Sequence, residues 1–312
     1  MVRGHFWTLG PHVRAIFRPP LGPPSRHFRA HVADPKLGEV RLTGRLSIPT
    51  GANTLLLLVH GLGGGAGRAY MVRAAAAAHA RGIATLRLNL RGADRSGQDY
   101  YHAGLTADLR GALASPELER FERLYVMGFS LGGHVTLRLV TEAHDPRVEA
   151  VVAVCPPIDL AKSADAMDQP ERRFYRGHVL GGLKEMYTEV ASRRGGPVPL
   201  HEALAIDTLR EWDERIIAPR HGFDGAEDYW DKMTVATRLH ALQKPALVVA
   251  AEGDPMILAE TIRPALEGAD RVDTRWIPPH RGGHVGFPAD LDLGEAAPLG
   301  LEAQVLGWLL RS

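Results

Sequence analysis

The stretch RLYVMGFSLGGHV, residues 123–135, joins two patterns at one serine. Its first half is a short apolar run of the kind that fills a strand buried on both faces. From 132 to 143 the spacing becomes that of a helix. Between them, Gly128-Phe129-Ser130-Leu131-Gly132 is a G-x-S-x-G sequence in a strand-to-helix turn. A turn this tight needs glycines two residues either side of the serine, because side chains there would collide with neighbouring backbone. It raises the hydroxyl at a sheet edge, above the N-terminus of the following helix.

The same rhythm extends in both directions. TLLLLVHG (54–61), IATLRLNL (83–90) and VEAVVAVC (148–155) are further short apolar runs, with helical stretches at 68–81 and 105–115. PALVVAAEGD (245–254), RVDTRWIP (271–278) and a helix at 299–311 continue it. Strand, helix, strand at this spacing predicts right-handed crossovers and an α/β fold with a mostly parallel sheet flanked by helices. FRAHVA and EVRLTGRLSI alternate with period two and predict half-buried strands, paired as a hairpin. Pro19, Pro20, Pro23 and Pro24 exclude regular helix, so residues 1–30 are expected to form an irregular arm. Residues 31–312 read as a single domain. Within it, residues 159–242 read as a helical cap insertion over the C-terminal edge of the sheet, where open α/β sheets bind ligands.

Composition narrows the function classes. The 312 residues carry a net charge of +1 without a long basic tract, which argues against nucleic acid as the main partner. The excess of Arg over Lys follows genome composition more readily than a recognition surface. One cysteine, Cys155, excludes an intrachain disulfide and leads to the expectation of a reducing, cytoplasmic compartment. The N-terminal stretch has no apolar core of a signal peptide, and no apolar run approaches the roughly 20 residues of a membrane helix. Monomer and dimer read alike in this sequence.

A serine hydroxyl is a weak nucleophile at neutral pH; it needs a base, and the base needs an orienting group. The chain order expected on this kind of sheet is Ser, acid, His. Asp254 follows an apolar strand, and His284 lies in the glycine-flanked loop RGGHVGF after the last strand. Asp159, also past a strand, competes as the acid, and His280 competes as the base. The oxyanion that forms during attack needs two backbone N–H donors. Leu131, directly after the serine, and Leu62, in the glycine-rich His60-Gly61-Leu62-Gly63-Gly64 loop, are the expected pair.

Other classes fit less well. The Gly61–Ala66 stretch matches a relaxed dinucleotide fingerprint, but Asn89 and Arg91 stand where the ribose-binding acid belongs. No Lys-Ser or Lys-Thr follows the glycines, so a P-loop fails. His201-Glu202 lacks the second histidine of a zinc helix. His280, His284 and Asp254 could together bind a metal, but the serine-centred reading already uses two of them. The same sheet used only for binding, without catalysis, is the rival from another class.

The chain resembles the YheT-like branch of the α/β-hydrolases in LGPHVRAIFRP, VHGLGGG, LNLRGADRS, YYHAGLTADL, MGFSLGGH, RHGFDGAEDYW, KPALVVAAEGDPM and GGHVGF. The resemblance implies the α/β-hydrolase fold and a triad on Ser130, Asp254 and His284. It also implies carboxylic-ester hydrolysis of short- to medium-chain esters or acyl lipids, with no cofactor and no metal. An acyltransferase or thioesterase would use the same triad. Phe174, Tyr175, Tyr187, Trp212, Tyr229 and Trp230 are the cap aromatics available to line an acyl pocket.

Overall fold

The computed structural model describes residues 2–312. Strand β3 (Thr54–Val59) shows why a continuous apolar run is required in the middle of the sheet. Leu55, Leu57 and Val59 enter one hydrophobic core while Leu56 and Leu58 enter the other, on the opposite face. The remaining central strands are β4 (Ala84–Asn89), β5 (Arg123–Phe129), β6 (Val148–Val154) and β7 (Ala246–Ala251), with β8 (Val272–Ile277) at the edge. The hairpin β1 (Arg26–Asp34) and β2 (Gly38–Ser47) completes an eight-stranded sheet of order β1-β2-β4-β3-β5-β6-β7-β8. β1 and β2 pair antiparallel, as do β2 and β4; every other pairing is parallel.

Residues 1–30 depart from the irregular arm expected of them, because α1 (Val2–Phe17) is a helix. The four clustered prolines bar helix only from residue 18 onward, and the chain is indeed irregular there until β1. Pro11 lies inside α1 and leaves the Trp7 carbonyl without its usual N–H partner. The Gly286 backbone approaches that carbonyl so closely that a Cβ there would lie 1.9 Å from it.

Helices α2 (Ala69–Ala80) and α12 (Leu301–Arg311) cover one face of the sheet; α3 (Thr106–Leu113) and α4 (Leu131–Leu139) cover the other. Between β6 and β7 every regular element is a helix. The chain runs through α5 (Leu160–Met167), α6 (Arg173–Arg194), α7 (Leu200–Ala205), α8 (Leu209–Trp212), α9 (Ala218–His221) and α10 (Ala226–Met233). α11 (Ala259–Glu267) lies between β7 and β8. No helix of the described residues is long and apolar enough to cross a membrane.

A buried charge cluster fastens these parts below the site. Arg91, just past β4, has a side chain 2% exposed and reaches Asp34 of β1 and Asp108 of α3, each at 2.6 Å. It also reaches Asp99 at 2.9 Å, and Arg220 of α9 meets Asp99 at 2.7 Å. One guanidinium thus links the hairpin, the loop after β4 and α3, and a second adds the helices between β6 and β7. Its worth lies in specifying the arrangement, because burying charges costs nearly what their pairing returns. Removing one partner is different, since it strands the others. Arg91→Met is expected to lower unfolding free energy by about 3–5 kcal/mol in urea titration; an unchanged midpoint would show that the cluster does not hold these elements together.

Candidate active site

Ser130 sits in a backbone conformation few side chains adopt, φ 52° and ψ −124°. The turn is pinned by Ser130 N–H donating to the Val154 carbonyl of β6 (2.8 Å). It is possible only because the flanking residues lack side chains. A Cβ on Gly128 would lie 2.1 Å from the Gly132 carbonyl oxygen, and one on Gly132 would lie 2.4 Å from that of Val59. Left-handed backbone recurs nearby at Cys155 (φ 49°), directly after β6, and at Val285 (φ 50°), beside His284. Strain of this kind costs about 1–3 kcal/mol per residue and persists where the surroundings over-determine it.

The loops after β7 and β8 bring Asp254 and His284 to the serine. His284 Nε2 lies 2.9 Å from Ser130 Oγ, and its Nδ1 lies 2.8 Å from Asp254 Oδ2. With Nδ1–H donating to the carboxylate, Nε2 keeps the lone pair that accepts the serine proton. Asp254 is held on its other side, where Oδ1 accepts from Met256 N–H (2.8 Å) and Ile257 N–H (3.0 Å). The competing residues lie in other roles. Asp159 caps α5, accepting from Lys162 N–H at 3.1 Å and pairing with Lys162 Nζ at 2.8 Å. His280 accepts at its carbonyl from Trp7 Nε1 (3.0 Å).

Most N–H groups of the glycine-rich loop after β3 are hydrogen-bonded; those of Leu62 and Gly65 are not. His60, fully buried, donates to the Gly61 carbonyl (2.8 Å) and accepts from Leu90 N–H (3.1 Å). Gly61 N–H donates to the Tyr70 hydroxyl (3.1 Å), Gly63 N–H to that of Tyr101 (2.8 Å) and Gly64 N–H to the Gly61 carbonyl (3.0 Å). Leu62 N–H has no acceptor among the described residues, and neither does Leu131 N–H at the start of α4.

Two cavities meet at Ser130, and Leu62, Val179 and Met256 border both. The inner one, about 100 Å³, is walled by Leu131, Leu160, Ile217 and the aromatics Trp212, Tyr229 and Trp230. The outer one, about 240 Å³, has His284, Tyr70, Phe174 and Tyr175 in its wall. No Asp or Glu borders the outer cavity, whereas Arg68, Arg73, His12 and His178 do. Tyr187, the remaining cap aromatic, borders neither; it is buried, with its hydroxyl donating to the Val198 carbonyl. Asp213, in the inner wall, receives a bond from Trp230 Nε1 (2.8 Å), and burial pushes its carboxyl up to about 7.

Potential metal-ligand atoms of Cys155, Asp254 and His284 lie within 4.8 Å of one another. Burial, with Asp254 adding to it, pushes the Cys155 thiol up, which keeps it a donor, and its Sγ faces the Gly283 carbonyl (3.7 Å). Asp254 and His284 are already committed to the hydrogen-bond chain that ends on Ser130.

The alpha/beta hydrolase family profile matches residues 56–293, from β3 to beyond His284. The chain belongs to this family. Within the α/β hydrolases it falls in the YheT-like branch: YheT of Escherichia coli is 29% identical over 81% of this chain and 76% of that protein. Monoacylglycerol lipase of Saccharomyces cerevisiae is 27% identical over 77% of this chain, and the match spans 56% of the yeast protein. Human monoacylglycerol lipase ABHD2 is 23% identical over 53% of this chain and 42% of its own length. Among solved structures, esterase Pf2001 of Pyrococcus furiosus superposes with a TM-score of 0.52 at 17% identity, covering 81% of this chain and 84% of that one. Hydrolase GrgF from Penicillium gives 0.53 at 19%, over 84% and 91%.

In this α/β hydrolase, sequence reasoning missed the part played by α1. Thr8 Oγ1 accepts from His284 N–H (2.8 Å) and donates to the Gly4 carbonyl (2.8 Å). His5 Nδ1 meets the Tyr175 hydroxyl of α6 at 2.5 Å. The strongest available signal was the polar Thr8 among apolar neighbours. Thr8→Val, which orphans the His284 N–H, is expected to lower kcat about tenfold, the scale of one buried unpaired donor. Thr8→Ser should restore it; equal activity in all three proteins would deny Thr8 a positioning role.

Buried histidines give the protein an acid limit. Burial lowers His60, His134 and His221 from the ordinary 6.5 to about 4, and His102 well below its ordinary value. Because the unfolded chain binds more protons in that window, stability rises with pH there and is lost as pH falls from about 6.5 toward 4. Asp213 acts in the opposite sense: its raised carboxyl contributes stability at low pH that is lost as pH rises toward about 7. Four histidines outweigh one carboxyl. The unfolding midpoint in urea should therefore drop between pH 6.5 and 4, and a flat profile would show that these rings charge freely in the native state.

Proposed function

We propose that the protein is a serine hydrolase that cleaves carboxylic esters through an acyl-enzyme. The observation that carries the reading is the continuous chain from Ser130 Oγ through His284 to Asp254, at 2.9 and 2.8 Å. His284 takes the serine proton as Oγ attacks the ester carbonyl, and Asp254 orients the ring and stabilises the imidazolium. The carbonyl oxygen becomes an oxyanion, which accepts from Leu62 and Leu131 N–H, neither of which has another acceptor among the described residues. Losing one such donor typically costs about 10²–10³ in turnover. His284 then returns the proton to the leaving alcohol, and water repeats the cycle on the acyl-serine.

The two cavities suggest how an ester lies. Leu131 borders only the inner cavity and His284 only the outer one. The acyl chain therefore belongs inside, against Leu160, Ile217 and Trp230, and the alcohol outside, beside the base that protonates it. On this reading the helices between β6 and β7 form the cap, with α5, α8 and α10 contributing to the acyl wall and α6 to both cavities. Similarity to monoacylglycerol lipases supports an acyl ester of modest size as substrate.

The test is hydrolysis of p-nitrophenyl esters from acetate to palmitate. Wild type should turn over and Ser130→Ala should not, while Asp254→Asn should lose about 10³–10⁴ in kcat with its fold intact. A wild-type protein that hydrolyses none of the series, and whose Ser130 is not labelled by a fluorophosphonate, would overturn the reading. Near-normal turnover of Asp254→Asn would assign the acid elsewhere.

A further inference from the structure

An amphipathic helix on a protein surface ordinarily turns its apolar stripe inward. α1 does the reverse. Its inward side is Gly4, Thr8 and Pro11, which meet the loops carrying Asp254 and His284: a Cβ on Gly4 would lie 1.8 Å from the Gly253 carbonyl oxygen, and Thr8 holds His284 N–H. Phe6, Val13 and Phe17, spaced i, i+7 and i+11, share the opposite face. They are 64%, 48% and 81% exposed. Ile16 at 66% and Leu21 at 92%, just beyond the helix, extend the patch. A cluster of large apolar side chains this exposed marks a surface made for a partner.

Charge indicates which partner. Residues 1–33 contain five arginines and no Asp or Glu. Arg14 on α1 and Arg18 directly after its end form no ion pair among the described residues. The groove beside α1 contains one acid, Glu302, and Arg73 neutralises it at 2.9 Å. The patch is also continuous with the way into the site. Thr8, Leu9, Pro11 and His12 on the flank of α1 border the outer cavity, and Phe174, 66% exposed, stands across its mouth on α6.

We infer that α1 docks on an anionic lipid surface, with Phe6, Val13, Ile16, Phe17 and Leu21 entering the acyl boundary and Arg14 and Arg18 meeting the headgroups. This arrangement places the mouth of the outer cavity against the surface, where an acyl lipid can pass from it toward Ser130. The purpose assigned to docking rests on the ester-hydrolase reading, but docking itself does not.

The test is sedimentation of the full chain with sucrose-loaded vesicles of phosphatidylcholine alone or with about a third phosphatidylglycerol, which supplies the negative surface potential that attracts basic segments. Wild type should bind the anionic vesicles at least about tenfold more tightly, and roughly half-molar salt should release much of it, since screening shortens the reach of Arg14 and Arg18. Ile16→Ser/Phe17→Ser should reduce binding about tenfold, and so should Arg14→Glu/Arg18→Glu. Both variants should hydrolyse a water-soluble acetate ester like wild type, which also reports that they fold, while losing activity on monoacylglycerol carried in the vesicles. Wild type remaining in the supernatant overturns the inference. A dimer in light scattering that Ile16→Ser/Phe17→Ser dissolves, without vesicle binding, overturns it in favour of a second copy as occupant. Vesicle binding by a wild type that hydrolyses no ester leaves docking standing and removes the hydrolase reading.

Discussion

The left-handed backbone of Ser130 is the constraint around which the other elements are arranged. At φ 52° and ψ −124° the residue is in a region that costs about 1–3 kcal/mol. It is held there by β5 pulling into the sheet, α4 leaving in the opposite direction and the Val154 carbonyl receiving its N–H. The glycines follow from that geometry, because each faces another backbone at a distance no Cβ tolerates. Gly132 ties the turn to β3 through the Val59 carbonyl, so the loop bearing Leu62 cannot be placed independently of the loop bearing Ser130. One strained residue thereby couples the nucleophile to the surroundings of the Leu62 N–H.

Rigidity elsewhere comes from polar groups with few alternatives. His60 uses both ring nitrogens on backbone and remains neutral because burial disfavours its charged form. Arg91 and Arg220 gather three carboxylates at the junction of hairpin, sheet and cap helices. Neither arrangement adds much net stability, since desolvation opposes pairing. Both make other arrangements costly, because a displaced loop would leave buried polar atoms unpaired. Leu62 and Leu131 gain their distinction from this background, as N–H groups left unpaired beside Ser130 while most of their neighbours are paired.

Much of this was legible in the sequence, and the reason is burial. Strands β3, β5 and β7 are buried at nearly every position, so their apolar runs cannot be mistaken for half-exposed ones. Ser130 and Asp254 each follow such a run, whereas His284 follows β8, a half-buried edge strand, and was found by its chain order and its glycine-flanked loop. Choosing between Asp254 and Asp159 was harder, because both follow strands; only the geometry shows one carboxylate facing His284 and the other capping a helix. The part of α1 was hardly legible, with the polar Thr8 its one signal. Prolines near its end suggested an irregular segment, and its exposed apolar stripe carries the same periodicity a buried one would. Periodicity reports that a face is apolar, not which way it points.

That α1 points its apolar face outward follows from what its other face must do. The loop carrying His284 turns through left-handed backbone at Val285, and its neighbours Gly283 and Gly286 press against the Gly4 and Trp7 carbonyls. Such close backbone contact leaves no room for large side chains, so the inward face of α1 is limited to Gly4, Thr8 and Pro11. Thr8 supplies the one side-chain acceptor that the His284 N–H finds. Phe6, Val13 and Phe17 are thus displaced to the outer face, where nothing in the fold covers them. The loop that holds the base in place and the exposed stripe are therefore two consequences of one packing requirement, which sets the apolar surface next to the entrance of the cavity that leads to Ser130.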